Sequence, residues 1–124
     1  MKQALVTKIT SGEEFKDILG RDSSDKLVVL QVGFTFCRPC LAFEPKYERL
    51  AKQYGDAARL VKVNGNENGN TIELCRDQLK VERTPTFIFF RQDQEIHRHT
   101  GINLDVFHEA MAEAGLELRG TEDQ

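Results

Sequence analysis

Two cysteines separated by two residues, Cys37 and Cys40, are the residues of this chain best suited to chemistry. An apolar run at 27–32 precedes them, and a helical pattern from Leu41 to Tyr54 follows. A Cys-x-x-Cys pair between a strand and a helix is a dithiol that can close into a disulfide. The spacing therefore predicts thiol–disulfide exchange.

The two cysteines are expected to play different parts, because exchange requires a thiolate nucleophile. Cys37 lies just before the predicted helix, whose N-terminal partial positive charge favours a thiolate, and Arg38 adds a full positive charge. Cys40 lies one turn inside the helix and is expected to be more buried. We expect Cys37 to attack a target disulfide and Cys40 to resolve the mixed disulfide. Pro39 fits the first helical turn, where its missing N–H would be unpaired anyway.

Zinc binding and unreactive burial are weaker interpretations of the cysteine pair. The chain has no second Cys pair, and His97 and His99 alternate on a strand pattern instead of following helical spacing. A position between a strand and a helix is typical of reactive cysteines. We therefore predict no metal and no cofactor beyond the redox-active disulfide. The third cysteine, Cys75, shares one side of a short helical pattern with apolar residues and is predicted to be a core residue.

The remaining pattern predicts the elements that position this pair. Strands are predicted at 4–9, 27–34, 59–64, 86–90 and 95–100, and helices are expected to begin after Ser11, after Cys37, at Thr71, and at Asn103 or Asp105. The order is βαβαβαββα. Because β-α-β crossovers need parallel strands and a terminal hairpin adds antiparallel ones, we predict an α/β fold with a mixed five-stranded sheet flanked by four helices. Leu41 and Leu104 are expected on inner helix faces.

Length and composition limit the possible functions. The 124 residues suit one domain, with a core at about 4–115 and a polar tail at 116–124. A net charge of −3 argues against nucleic-acid or lipid-surface partners, and no apolar run approaches the length of about 20 residues that spans a bilayer. Three cysteines are too few for a secreted disulfide framework and favour a reducing compartment. We expect a monomer.

From the first helix to Gly115 the chain resembles a thioredoxin. The matching pieces are Phe36-Cys37-Arg38-Pro39-Cys40, Pro45, Lys62, Thr84-Pro85-Thr86 and Gly101. The resemblance implies a thioredoxin fold and a cis bond before Pro85, in a loop that faces the cysteines and pairs with the substrate backbone. It also implies a substrate groove framed by Phe36, Arg38, Thr84, Pro85 and Gly101.

A narrower resemblance concerns the segments 63–68 and 84–89 and the helix around Cys75, which are similar to the plastid drought-stress type of thioredoxin. It implies reduction of 2-Cys peroxiredoxins and methionine sulfoxide reductases in the chloroplast stroma, as part of a stress response. The alternative location is the cytoplasm. Electrons would come from a thioredoxin reductase or a ferredoxin-linked reductase.

The chain departs from the usual Trp-Cys-Gly-Pro-Cys motif of the family. Phe36 replaces the tryptophan, and Arg38 replaces the glycine. Gln31 stands where the family has a buried aspartate, and Lys62, expected near it, would lack its usual acidic partner. Since an amide cannot accept the proton of Cys40, we expect a slow resolving step. Arg38 either makes the couple more oxidising or selects acidic targets.

These departures leave three functions to compare. The intact dithiol with Pro85 favours a reductase of protein disulfides. Gln31 and the missing tryptophan favour a binding or adaptor module with low turnover. A more oxidising couple would make the protein isomerase-like.

Overall fold

The computed structural model describes residues 4–118 of the chain. The strands are β1 Thr7–Ile9, β2 Leu27–Gly33, β3 Ala58–Asn64, β4 Thr86–Arg91 and β5 Gln94–Thr100; the helices are α1 Gly12–Asp22, α2 Arg38–Tyr54, α3 Gly69–Ile72 and α4 Leu104–Glu113. A 3₁₀ turn at Gly55–Ala57 follows α2, and α3 continues as a π-helix at Glu73–Gln78. The predicted βαβαβαββα order is confirmed. The ends of the predicted domain, 1–3 and 119–124, lie outside the described residues, whereas Leu116, assigned to the tail, is buried.

The sheet is mixed, with strand order β1-β3-β2-β4-β5. Strands β1, β3 and β2 are parallel, while β4 is antiparallel to both β2 and β5. All seven residues of β2 are buried, because this central strand is paired on both edges and covered on both faces. The register pairs Gly33 with Asn64 of β3 and Val32 with Thr86 of β4, so three loops meet where β2 ends.

Two apolar layers cover the sheet. On one face, α2 and α4 pack Phe43, Tyr47 and Phe107 against the sheet. On the other face, α1 and the π-helix contribute Phe15 and Leu74. The Tyr47 hydroxyl is completely buried and donates to the carbonyl oxygens of β2 and β3 at 3.2 and 2.9 Å, so this buried polar group is hydrogen-bonded. Burial raises the pKa of Tyr47 well above its usual value. Between residues 4 and 118, no helix has the length and apolarity to cross a membrane.

Short polar side chains begin the helices. Ser11 caps α1, and Asn103, one of the two predicted starts, caps α4. The predicted cap at Thr71 is wrong. Asn68 is the N-cap of α3: its side chain accepts from the Thr71 N–H at 2.9 Å, and the Thr71 hydroxyl accepts from the Asn68 N–H at 2.9 Å. Thr71 is therefore at the N3 position of a capping box, and Asn68 is at its N-cap.

The predicted inward positions of Leu41 and Leu104 are wrong. Leu41 is 49% exposed, and Leu104 is also largely exposed. The buried stripe of α2 runs through Cys40, Phe43 and Tyr47, in alternating steps of three and four residues. Leu41 lies one residue, and hence about 100°, off this stripe, which turns it towards solvent.

Two histidines of the edge strand pack under α4. The His99 ring stacks on Phe87, with centroids 5.4 Å apart, and meets Phe107 edge-on. Its Nδ1 lies 2.8 Å from Nε2 of His97. Burial, and secondarily the charge of His97, lower the pKa of His99 from 6.5 to about 4. The folded protein therefore keeps His99 neutral at a pH where the unfolded chain protonates it.

We expect this histidine to make the fold acid-sensitive. Because the pKa of His99 is lower in the folded protein than in the unfolded chain, the contribution of neutral His99 to stability is fully present above about pH 6.5. This contribution is lost as the pH falls towards 4. Urea unfolding between pH 7 and pH 4.5 should show a smaller loss of unfolding free energy in His99→Gln than in the wild type. If the unfolding free energies of the two proteins fall equally with pH, this role of His99 is contradicted.

Candidate active site

The turn between β2 and α2 holds Cys37 and Cys40. Cys37 is the N-cap of α2, with extended backbone, and its Sγ accepts from the Cys40 N–H at 3.3 Å. Its own N–H donates to the Phe34 carbonyl at 3.1 Å, which closes the turn. The two cysteines form a disulfide, with Cα atoms 5.3 Å apart. Cys37 is 8% exposed and Cys40 4% exposed, so the expected difference in burial is present but small.

The end of β2 lies directly beneath Cys40. A Cβ added to Gly33 would lie 3.2 Å from both Cβ and Sγ of Cys40, so a larger residue here would require Cys40 to shift by a few tenths of an ångström. Gln31 is two residues earlier on the same face and is 4% exposed. Within residues 4–118 its Oε1 has no hydrogen-bond partner. A neutral, unpaired amide oxygen is therefore buried in the layer that contains Cys40.

Lys62 lies opposite Gln31 in the register of β2 and β3, as expected. The aspartate that the family has opposite Lys62 is absent, since Gln31 stands there, but Lys62 has another acidic partner: its Nζ lies 3.6 Å from the carboxylate of Glu44. Glu44 is on α2, one helical turn after Cys40, and both partners of the pair reach solvent. The acidic group nearest to the resolving cysteine along α2 is thus placed at the surface and not in the core.

A second loop approaches the end of β2 from β4. The Thr84–Pro85 peptide bond is cis, as the family resemblance implies. Since Thr86 pairs with Val32, Pro85 lies beside the strand end from which the cysteine turn departs. Gly101 follows β5, and its N–H donates to the Pro85 carbonyl at 2.8 Å. Its φ of +94° explains the glycine, since an added Cβ would meet no atom within 4 Å.

The five residues expected to frame a groove lie on three loops at this end of the sheet. Phe36 is 73% exposed, and its ring lies 5.2 Å from that of Phe34. Arg38 is exposed, and Thr84 is half-buried. In the part of the chain that the structure describes, the Thr84 backbone makes no hydrogen bond, which leaves a free donor and acceptor beside Pro85.

Asn66 is a site residue that the sequence interpretation missed. Its Oδ1 accepts from the Thr35 N–H at 3.0 Å, and its Nδ2 donates to the Thr35 hydroxyl at 2.9 Å. The loop after β3 is thereby joined to the cysteine turn by two hydrogen bonds. The Gly/Asn-rich composition of this loop predicted only a turn, because nothing in it indicates a partner 31 residues earlier.

The prediction that Cys75 is a core residue is confirmed. It is buried, and burial raises the pKa of its thiol to about 11. A Cβ on Gly65 would come within 3.2 Å of both the Cys75 Cβ and the Phe34 ring. Cys75 therefore packs behind the cysteine turn as a protonated thiol and is poorly suited to exchange.

Comparison with known proteins assigns this arrangement to a family. The thioredoxin family model matches residues 6–113, almost the whole described chain. The chain belongs to the thioredoxin family. Thioredoxin-2 of Saccharomyces cerevisiae is 33% identical over 87% of the chain and 97% of the yeast protein. The protein is accordingly a dithiol thiol–disulfide oxidoreductase whose redox pair is Cys37 and Cys40.

Chloroplast thioredoxins are also among its relatives. The chloroplastic thioredoxin-like protein CDSP32 of Arabidopsis thaliana is 33% identical over 61% of this chain, which spans 25% of that protein. The short form of thioredoxin f from spinach chloroplast has a TM-score of 0.77 and 28% identity, over 92% of this chain and 98% of that one. A chain of the complex between ferredoxin:thioredoxin reductase and thioredoxin f2 has a TM-score of 0.79 and 24% identity. The match covers 92% of this chain and 98% of that one.

The thioredoxin fold predicted from sequence is therefore confirmed.

We expect Asn66→Ala to loosen the cysteine turn. Loss of the two hydrogen bonds to Thr35 should lower the unfolding free energy by about 1 kcal/mol and slow disulfide reduction. Asn70→Ala is the matched control, since Asn70 is exposed and makes no side-chain hydrogen bond within residues 4–118. Equal rates and stabilities for the two variants would contradict the role of Asn66.

We also expect Gln31→Asp to accelerate release of the mixed disulfide at Cys37. A carboxylate beneath Cys40 can accept its proton; ideally placed general bases contribute about 10²- to 10⁴-fold, and we expect about ten-fold at pH 7. Single-turnover release of a target peptide measures the rate. Gln31→Asn is the isosteric control without a charge, and equal rates for the two variants would show that a carboxylate does not help.

Proposed function

We propose that this thioredoxin reduces disulfides in partner proteins, with Cys37 as the attacking residue and Cys40 as the resolving residue. The observation that carries the proposal is the position of Cys37 at the N-cap of a 17-residue helix, where its Sγ accepts the Cys40 N–H. A hydrogen bond to a thiolate and the helix dipole both stabilise the charged form. Cys40 is the more enclosed of the two, on the buried face of α2 and against Gly33.

The reaction proceeds by two exchanges. The Cys37 thiolate attacks one sulfur of the target disulfide, forms a mixed disulfide and releases the other target sulfur as a thiolate. Cys40, after losing its proton, attacks the Cys37 sulfur, forms the Cys37–Cys40 disulfide and releases the second target thiolate. Two electrons pass from the dithiol to the target, and the two target thiolates take up the proton lost by Cys40 and one proton from water. A reductase must then return two electrons to the Cys37–Cys40 disulfide.

The surface around the pair suits an extended peptide. The free N–H and carbonyl of Thr84 can pair with a substrate backbone in the manner of an added β-strand. The exposed ring of Phe36, the residue before Cys37, offers an apolar contact. Pro85 and Gly101 hold the second loop in place through their 2.8 Å hydrogen bond.

Location and electron donor belong to the same proposal. We place the protein in the chloroplast, supported by its likeness to CDSP32 and to spinach thioredoxin f. The solved complex of thioredoxin f2 with ferredoxin:thioredoxin reductase supports a ferredoxin-linked donor for this chain. We propose 2-Cys peroxiredoxins and methionine sulfoxide reductases as substrates. A cytoplasmic protein served by a thioredoxin reductase is the alternative.

A second candidate function is an adaptor that binds partners with little turnover. The unpartnered, uncharged Gln31 beneath Cys40 favours it, because no buried carboxylate is there to speed resolution. In that case the mixed disulfide at Cys37 would be long-lived in the wild type.

Insulin reduction with dithiothreitol tests these functions. We expect catalysis by the wild type, none by Cys37→Ser, and a stable mixed disulfide with target proteins in Cys40→Ser. Cys75→Ala is the control, and it should retain activity because Cys75 packs in the core. If the wild type does not exceed dithiothreitol alone, the reductase proposal fails and the adaptor is favoured.

A further inference from the structure

Two exposed arginines lie at the end of the sheet that carries the disulfide, in a protein whose net charge is −3. Arg38 stands between the two cysteines, and Arg83 precedes the Thr84–Pro85 bond. Within residues 4–118, neither guanidinium has a carboxylate within ion-pair distance, whereas Arg59, Arg76 and Arg98 each have one. Both side chains near the disulfide therefore keep their charge available to a bound partner.

The two arginines lie on the two segments that meet where β2 ends. Arg38 begins α2, and Arg83 lies on the loop that enters β4 beside the end of β2. The position of the second loop is fixed, because the Thr86 hydroxyl donates to the Arg83 carbonyl at 2.6 Å. We expect a peptide that pairs with Thr84 and reaches Cys37 to contact both segments.

Carboxylates near this surface do not cancel its charge. Glu44 is paired with Lys62, and Glu67 is paired with Lys8. Glu82 is exposed next to Arg83, but the same loop also carries the exposed Lys80. The loop 80–84 and Arg38 together have a net positive charge.

We propose that this pair of arginines selects target disulfides flanked by acidic residues. The inference rests on the proposed reductase function and names the substrate class of that site. Each guanidinium can hold a carboxylate through two parallel N–H donors, and both attract acidic peptides and repel basic ones before contact. Arg38 and Arg83 are thus specificity determinants that the cysteine motif does not provide.

Three synthetic peptides with the same disulfide loop test the inference, carrying Glu, Gln or Lys on both sides of the reactive cysteine. The pre-reduced protein is mixed with each peptide under single-turnover conditions, and the rate at which the peptide disulfide is reduced is measured. This rate is divided by the rate at which dithiothreitol reduces the same peptide. This ratio removes differences in the intrinsic reactivity of the peptides. At low salt we expect the normalised rate of the Glu peptide to be about ten-fold higher than that of the Lys peptide. Each arginine should contribute a factor of about three to this ratio. In about 1 M salt the preference should disappear.

Variants identify the residues responsible. Arg38→Gln and Arg83→Gln should each lower the Glu preference about three-fold, and Arg83→Glu should shift it towards the Lys peptide. Because the measured quantity is a ratio between peptides, any change that Arg38 causes in the reactivity of Cys37 cancels. Arg21→Gln, an exposed change of the same charge on α1, is the control and should leave the preference unchanged.

The possible failures are distinguishable. Equal normalised rates for the three peptides, or a Glu preference that survives in both glutamine variants, would overturn the selection of acidic targets and leave disulfide reduction intact. If dithiothreitol reduces the peptides and the wild-type protein reduces none of them, the reductase function itself fails, and the inference fails with it.

Discussion

The complete burial of β2 is the constraint on which the rest of this structure depends. The strand is hydrogen-bonded on both edges and covered on both faces, so its carboxyl end has a fixed position in the middle of the sheet. The cysteine turn leaves from that end, and Gly33 lets α2 approach until Cys40 is in contact with the strand. The loops from β3 and β4 arrive at the same place because their register with β2 brings them there.

The same burial gives Gln31 its importance. An amide in this layer costs less to bury than a carboxylate would, but its Oε1 has no partner within the described residues, a situation that costs about 1–3 kcal/mol. The acidic group that pairs with Lys62 is Glu44, which lies at the surface. The protein therefore combines a neutral core beneath its redox pair with a charged pair outside it. We therefore expect the core to give little help to proton removal from Cys40.

The surface around the disulfide is set by different residues from those that set its chemistry. The helix N-terminus and the Cys37–Cys40 pair provide the exchange reaction, and they depend on α2 and on Gly33. Phe36, Arg38 and Arg83 are exposed and contribute nothing to the core. These loop positions can change without disturbing the fold, which is why they are suited to distinguishing one partner from another.

The sequence by itself determined the redox pair, the order of the elements and the α/β class, because these follow from local spacing and apolar periodicity. Only the tertiary structure decided that Leu41 faces solvent, that Lys62 pairs with Glu44, and that Asn66 holds Thr35. The first of these depends on the rotation of α2 about its axis, and the other two join residues from different elements. The placement of Arg38 and Arg83 at the same end of the sheet is of the same kind: it follows from the register of β2 with β4, which no local pattern specifies.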